Sequence, residues 1–316
     1  MSVMKATESE QINRKRGSND DVSDYTYTHN ALRQIHIEQK RWSLRGFSIS
    51  GLSTYFQIPE LDLCVDMGEC PMSALSLNHV LLTHSHGDHS RCLMRHNSLR
   101  RMMQNPTQAV YYIPEPVYSL AIDLIKAETL FEGVSEERFD LPRLECVRAG
   151  ENFNLAYRKD LEAFPFNVKH SIPAFGYTVF CKKKKLKKEY AEYSREQIIS
   201  LKKSGTEITN DVREPIISFM GDCLGESLWE EQHIWNSPVV VCECTFLDPD
   251  EMGMARKKGH THIEHIAQAL AKVGGSISCQ SIILTHFSMK YSKKHVLNVV
   301  SKIIPEEFKE KVKVFL

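Results

Sequence analysis

The chain has 316 residues, 42% hydrophobic and 25% charged, the proportions of a folded globular protein with ample material for a core. Forty basic side chains balance forty acidic ones, so net charge gives no pull on a polyanion and any basic surface has to come from local clustering. Nine cysteines, scattered singly and odd in number, speak against a disulfide-stapled extracellular module and for reduced thiols.

Residues 1–38 are polar and mixed in charge, without the apolar core of a signal peptide. They are expected to form a flexible leader, with a short helix near 29–40, ahead of one hydrolase-sized domain over 39–316. No run of about 18 apolar residues occurs, so no membrane is expected. The expectation is a soluble cytoplasmic protein, with nucleus and organelles left open. Order begins near Trp42, where SLRGFSISGLSTYFQI reads as strand, turn and strand, and LDLCVDM as a further strand. Val80, Leu81 and Leu82 end a buried strand. SRCLMRHNSLRRMMQ then reads as a helix, AVYYIP as a buried strand and PEPVYSLAIDLIKAETLF as a second helix. Short strands are expected around 145–148, 153–155, 161–168 and 177–180. Residues 181–214 interrupt the pattern with a basic run and a polar helix. Apolar order resumes with PIISFMGD and SPVVVCECTFL, the amphipathic HIEHIAQALAKV, QSIILTHFS, VLNVVSKI and VKVFL. Cys242 and Cys244 are read as pointing apart, a poor chelate for zinc.

Straight after the strand ending at Leu82, HSHGDH crowds His84, His86, Asp88 and His89 into six positions. His84 and His86 can converge on one side of a loop while Asp88 and His89 turn to the other, so one short loop serves two metal ions. Borderline-soft divalent ions accept imidazole nitrogen and carboxylate oxygen, and catalytic sites keep a position open for water or substrate. Six residues cannot complete two sites. Ligand-type residues recur at other strand exits: His170 after FPFNV, Asp222 after IISFM and His286 after SIIL. A rigid scaffold presents such groups to a common edge.

HSHGDH with His170, Asp222 and His286 resembles the metallo-β-lactamase superfamily, which implies an α/β fold, a four-layer αβ/βα sandwich with metals at one edge of its sheets. KHSIPAFGY, GDC, CECTF, GHTH and LTHFSMKY, in that order, are similar to the tRNase Z (ribonuclease Z) family. GLSTYFQIPELDLCVDMGECP, KKLKKEY and SGTEIT resemble its short plant form, so the likeness runs from about Trp42 to the C-terminus. The resemblance implies two zinc ions, or manganese or magnesium in their place: His84, His86 and His170 on one, Asp88, His89 and His286 on the other, Asp222 bridging. Asp66 is expected to steady a ligand histidine.

The implied reaction is removal of the 3′ trailer of precursor tRNA by a metal-activated hydroxide that Asp88 orients, leaving a 3′ hydroxyl. His260, paired with Glu243, is the expected proton donor to the leaving oxygen, with His262 an open alternative. Lys290 and Tyr291 are expected substrate contacts. Lys182, Lys183, Lys184, Lys185, Lys187 and Lys188 are expected to grip RNA from an arm, in a homodimer whose arms present tRNA to the partner's metals. Two departures stand out. SRCLMRH replaces the family's Gly-Gly-Leu-Pro type turn, which is expected to bring Arg91 close to substrate, and the arm lacks a Gly-Pro motif. The alternatives are a phosphodiesterase or esterase of the same fold acting on a small substrate, and a binding module with a structural metal, which a missing ligand would mark.

Overall fold

The computed structural model describes residues 33–37, 42–135, 140–274 and 277–316. Of the expected leader, 1–32 and 38 lie outside the described residues. The rest is a correction: where a short helix was expected, β1 (Arg33–Ile37) is a strand paired antiparallel with β2 (Trp42–Ser50). A helix this short has too few internal bonds to offset its nucleation, whereas a ready strand edge supplies partners at once.

The first half continues with β3 (Ser53–Ile58), β4 (Leu63–Val65), β5 (His79–Leu81), α1 (Gly87–Ser90), α2 (Leu93–Met102), β6 (Val110–Pro114), α3 (Tyr118–Phe131) and β7 (Arg143–Val147). These strands lie in sequence order, antiparallel from β1 to β4 and parallel from β4 to β7. Short connections join β2 to β3 and β3 to β4, while the parallel pairs β5–β6 and β6–β7 use the longer crossovers that α2 and α3 supply.

The second half holds β8 (Phe153–Asn154), β9 (Leu161–Val168), β10 (Ala174–Leu186), α4 (Arg195–Lys203), β11 (Thr209–Phe219), α5 (Ser227–Glu230), β12 (Val239–Glu243), α6 (Met252–Lys258), α7 (Ile263–Val273), β13 (Ser281–Thr285), β14 (Phe287–Ser288), α8 (Lys293–Ile303) and β15 (Val312–Val314). Its sheet runs β15-β13-β12-β11-β10-β9-β8, and β14 crosses over to pair with β2 of the first sheet.

Strand alternation sorts the apolar side chains into three cores, which makes four layers. Leu63, Val65, Leu81, Val110 and Tyr112 meet Phe175, Tyr177, Phe219, Val241 and Ile283 between the sheets. On the outer side of the first sheet Cys64, Val80, Leu82, Tyr111 and Ile113 pack under Leu93, Leu99, Tyr118 and Ala121 of α2 and α3. On the outer side of the second, Val240, Cys242, Ile282 and Leu284 pack under Ile263, Ile266 and Leu270 of α7 and Val296 and Val300 of α8. Cys242 and Cys244 both enter this last core. Residues two apart on a strand share a face, so the expected divergence of that pair is corrected. Burial pushes both thiols up, which keeps them protonated.

The basic stretch is the other departure. The strand expected at 177–180 runs on through the lysines as β10, and its outer part pairs with β11, Lys182 opposite Arg213 and Lys185 opposite Asn210. Ladder bonds to a neighbouring strand override the weak strand preference of lysine. The result is an exposed two-stranded ribbon that carries α4, itself started by a Ser194/Gln197 capping box. Among the described residues no helix is long and apolar enough to cross a membrane.

Candidate metal centre

The carboxyl ends of β4, β5, β9, β11, β12 and β13 deliver Asp66, the His84 to His89 run, His170, Asp222, Glu243 and His286 to one edge of the sandwich. Ligand groups of open α/β sheets gather at such ends. Asp66 and His286 both take left-handed backbone, φ 60 and 61, a conformation unusual for non-glycine residues that concentrates at functional sites. Tyr177 donates its hydroxyl hydrogen to Leu82 O at 2.7 Å, and Phe175 N–H reaches Thr83 O at 2.8 Å. The second sheet thereby holds the root of the histidine loop.

Three overlapping sets of donor atoms converge, each within 4.8 Å: His84, His86, His170 and Asp222; Asp88, His89 and His286; and Asp222, His260 and His286, of which the first two carry the expected ligands. Asp222 Oδ2 lies 3.3 Å from His89 Nε2, 3.4 Å from His286 Nε2 and 3.7 Å from His84 Nε2, so it faces both sets. The proton positions follow from the outer bonds. His170 Nδ1–H donates to Gly259 O at 2.7 Å and His89 Nδ1–H to Asp66 Oδ2 at 2.8 Å. His84 Nδ1–H donates to Thr83 Oγ1 at 3.0 Å, and that hydroxyl donates on to Asp66 Oδ2 at 2.9 Å. His286 Nδ1–H donates to Thr245 Oγ1 at 3.0 Å, which donates to Glu243 Oε2 at 2.5 Å.

These bonds leave lone pairs facing one another: His84 Nε2 and His170 Nε2 each 3.1 Å from His86 Nδ1, and His89 Nε2 3.3 Å from His286 Nε2. Bare lone pairs repel at that range, whereas nitrogens around a tetrahedral zinc at about 2.0–2.1 Å stand roughly 3.3 Å apart. The residues therefore fit a pair of divalent cations. The electrostatics agree. Burial works against charge on Asp222, yet His286 and His89 hold its carboxyl well below the usual range. Burial also opposes the charge on Asp88, and His286 and His89 again pull it down. Against its own burial, His89 is pushed well up by Asp222 and Asp66, the mark of a field that favours positive charge.

His260 stands beside this cluster with Nδ1 2.9 Å from Glu243 Oε1 and 3.8 Å from Asp222 Oδ2. Burial would lower it, but Glu243 raises it to about 9, so it carries a proton at neutral pH. His262 has other duties: Nε2–H donates to Asp248 O at 2.9 Å and Nδ1 accepts from Glu264 N at 3.2 Å, which caps α7. Glu243, buried, also accepts from Cys223 N at 2.9 Å. Sequence reasoning missed Thr83, Thr245, the Gly259 carbonyl and the Gly51 N–H, which donates to Asp88 Oδ2 at 2.8 Å. Thr83 left a signal as the residue before His84, and Thr245 and Gly259 lie inside CECTF and GHTH, where nothing marks the atom that each uses.

Three sets of expected substrate contacts have other partners. Tyr291 is buried, with its hydroxyl on Glu251 and accepting from Leu247 N at 2.9 Å, and Lys290 pairs with Glu251 and Asp248. Those contacts give the two residues a loop-tying role. On the ribbon, Lys183 and Lys185 pair with Glu214, Lys184 with Glu207 and Asp211, and Lys182 with Glu162. The sequence shows six lysines in a row of seven, and the fold sets acids across from four of them. Lys187 and Lys188 have no ion pair among the described residues. Arg91 does not reach toward the cluster but turns back onto Gly68 O and Leu52 O.

Residues 68–287 match the family model of the beta-lactamase superfamily domain. The chain is 33% identical to a tRNase Z of Arabidopsis thaliana, over 84% of this chain and 91% of that one. It is 29% identical to a chloroplastic tRNase Z of the same plant, over 90% and 78%. Among solved structures, the short form of human tRNase Z superposes with TM-score 0.50 at 16% identity, covering 86% of this chain and 95% of that one, a likeness of fold. Convergent His/Asp donors on a metallo-β-lactamase sandwich, the match across most of the chain and these relatives lead to one conclusion: the chain belongs to the tRNase Z family of metal-dependent hydrolases in the beta-lactamase superfamily.

Proposed function

We propose that the protein is an endoribonuclease that removes the 3′ trailer of precursor tRNA and leaves a 3′ hydroxyl. The observation that carries this reading is the His260–Glu243 pair set against the seven-residue donor cluster, in a chain 33% identical to a tRNase Z. In this reading His84, His86 and His170 hold one zinc, Asp88, His89 and His286 hold the second, and Asp222 serves both. Manganese or magnesium could fill the same places. Zinc bound there supplies Lewis acidity, which brings the pKa of water toward neutrality and offsets charge on the phosphodiester. Asp88, kept anionic, orients the attacking water. His260 gives its proton to the 3′ oxygen as the P–O bond breaks, and Glu243 holds the ring in place for that transfer.

The ribbon is the RNA grip in this reading: among the described residues Lys187 and Lys188 have no ion pair, and the other four lysines sit in weakly held surface pairs that phosphates can displace. The protein acts as a homodimer, in which Leu120, Leu124 and Phe131, exposed on α3, offer apolar surface to a second copy. The site of action is the cytoplasm or an organelle, the latter because one relative is chloroplastic. A small phosphodiester substrate is the second reading, favoured by the acids that offset the ribbon lysines. The test is cleavage of a precursor tRNA with a 3′ trailer by zinc-loaded protein, beside Asp88→Ala and a variant with the six ribbon lysines changed to serine. Wild type should cut and Asp88→Ala should not. The serine variant should bind the RNA roughly tenfold more weakly yet hydrolyse a small phosphodiester unchanged. A wild type that leaves the RNA whole and hydrolyses the small ester defeats the tRNA reading.

A further inference from the structure

Arg91 follows the ligand run at the point where the family's glycine turn is absent. Its Nε donates to Gly68 O at 2.9 Å and its Nη2 to Leu52 O at 2.6 Å. One guanidinium thus joins the loop after β4, the end of α1 and the turn between β2 and β3. Charge-assisted bonds to two carbonyls in the fixed fork of arginine set both distance and direction. The turn it holds is the one that matters for Asp88. Gly51, at φ 71, a conformation glycine adopts without strain, presents its N–H to Asp88 Oδ2 at 2.8 Å. The same oxygen lies 3.6 Å from His286 Nε2 and 3.8 Å from His89 Nε2. Gly68 has no slack either, since a Cβ there would come within 1.8 Å of Asp88 O and 2.8 Å of Thr54 N. Arg91 therefore anchors both sides of the cradle around Asp88, and its hydrogen bonds go to Gly68, Leu52 and Gly87 rather than to His84, His86 or His170.

We infer that Arg91 is a positioning residue for the Asp88, His89 and His286 metal site: through the β2–β3 turn it fixes the Gly51 N–H that aims the Asp88 carboxylate. The inference rests on the ligand reading of that set. Groups hydrogen-bonded to metal ligands are typically worth about 10- to 100-fold in metal affinity; that is the scale of the Gly51 N–H, and Arg91, exposed and one bond further out, belongs at its lower end. The experiment is calorimetric titration of metal-free protein with zinc for wild type, Arg91→Ala and Arg91→Lys. His170→Ala and His286→Ala assign the two binding events to the two sets. Arg91→Ala should weaken the His286-dependent event by about 10-fold and leave the His170-dependent event within about twofold. Arg91→Lys, able to reach one carbonyl, should fall between, and it keeps the test alive if Arg91→Ala fails to fold in chelator. At saturating zinc Arg91→Ala should show wild-type KM for the RNA. Unchanged zinc affinity with a raised KM overturns the inference in favour of a substrate contact, and equal losses at both events overturn it in favour of general destabilisation. A wild type without two zinc events overturns the ligand reading and the inference with it.

Discussion

Asp66 and Glu243 divide the orientation of the cluster between them. Asp66 takes His89 directly and His84 through Thr83, one imidazole from each donor set, while Glu243 takes His260 directly and His286 through Thr245. Each carboxylate thus fixes two ring orientations with one buried charge, which is why both sit in networks with their oxygens bonded. The two roles of Glu243 can be separated by changing its charge and keeping its shape. In Glu243→Gln the amide oxygen still accepts from a neighbouring N–H, so zinc content should stay at the wild-type level. His260 loses the anion that keeps it protonated, and kcat should fall about 10²- to 10⁴-fold, the range for a general acid. His260→Ala should lose a similar factor, and the double variant little more, because the two residues act as one unit. Metal analysis beside single-turnover cleavage checks this. A drop in zinc that tracks the drop in rate would assign Glu243 to the His286 ligand instead.

At the scale of elements, α2 is polar for a helix that covers a sheet, and polar bonds tie it down. Arg100 donates to Leu75 O at 2.6 Å, Leu77 O at 2.7 Å, Thr107 O at 2.7 Å and Asn78 Oδ1 at 2.6 Å. His96, fully buried, accepts at Nδ1 from the Tyr111 hydroxyl at 2.8 Å and donates from Nε2 to Ala74 O at 3.1 Å. That arrangement needs the neutral ring, and burial accordingly pushes His96 down from 6.5 to about 4. The unfolded chain takes up this proton first. Stability from His96 is therefore intact above about 6.5, falls as pH drops toward about 4 and levels off below. The full loss is roughly 3–4 kcal/mol. In EDTA, which removes any linkage to metal, denaturant unfolding of His96→Gln should give lower stability than wild type at pH 7.5 and a shallower loss between pH 6.5 and 4.5. Parallel curves for the two proteins would show that His96 does not titrate across that window. The ribbon makes the opposite point about elements. Its lysines were visible in the sequence, but the acids paired with Lys183, Lys184 and Lys185 are 23 to 31 residues away and meet them through the register of β10 on β11, while Glu162 reaches Lys182 from β9.

For the whole molecule, the sequence exposed what depends on local pattern. Apolar runs ending in His84, His170, Asp222 and His286 marked strand exits, and parallel strands send such exits to one edge. It did not expose the Thr245 hydroxyl, the Gly259 carbonyl or the Gly51 N–H, because backbone groups and common hydroxyls carry no identity until distant loops are docked. It misread β1 because the pairing edge on β2 outweighs the local preference. The docking has a thermodynamic consequence. His84, His86, Asp88 and His89 come from the loop after β5 of the first sheet, while His170, Asp222 and His286 come from the second. Ions held between those sets would clamp the sheets together and offset the charge of the buried Asp66, Asp222 and Glu243. An ion that binds only the folded state adds about 2.7 kcal/mol at a hundredfold excess over its Kd. Two such sites should raise Tm by roughly 5–10 °C in a chain of this size. Melting in zinc against melting in chelator measures the rise directly. His170→Ala and His286→Ala should each abolish about half of it, while His262→Ala, which uncaps α7, should lower Tm equally in zinc and in chelator. A wild-type melt indifferent to zinc would mean that the converging nitrogens are held by the fold alone, and the two-sheet clamp would have to be given up.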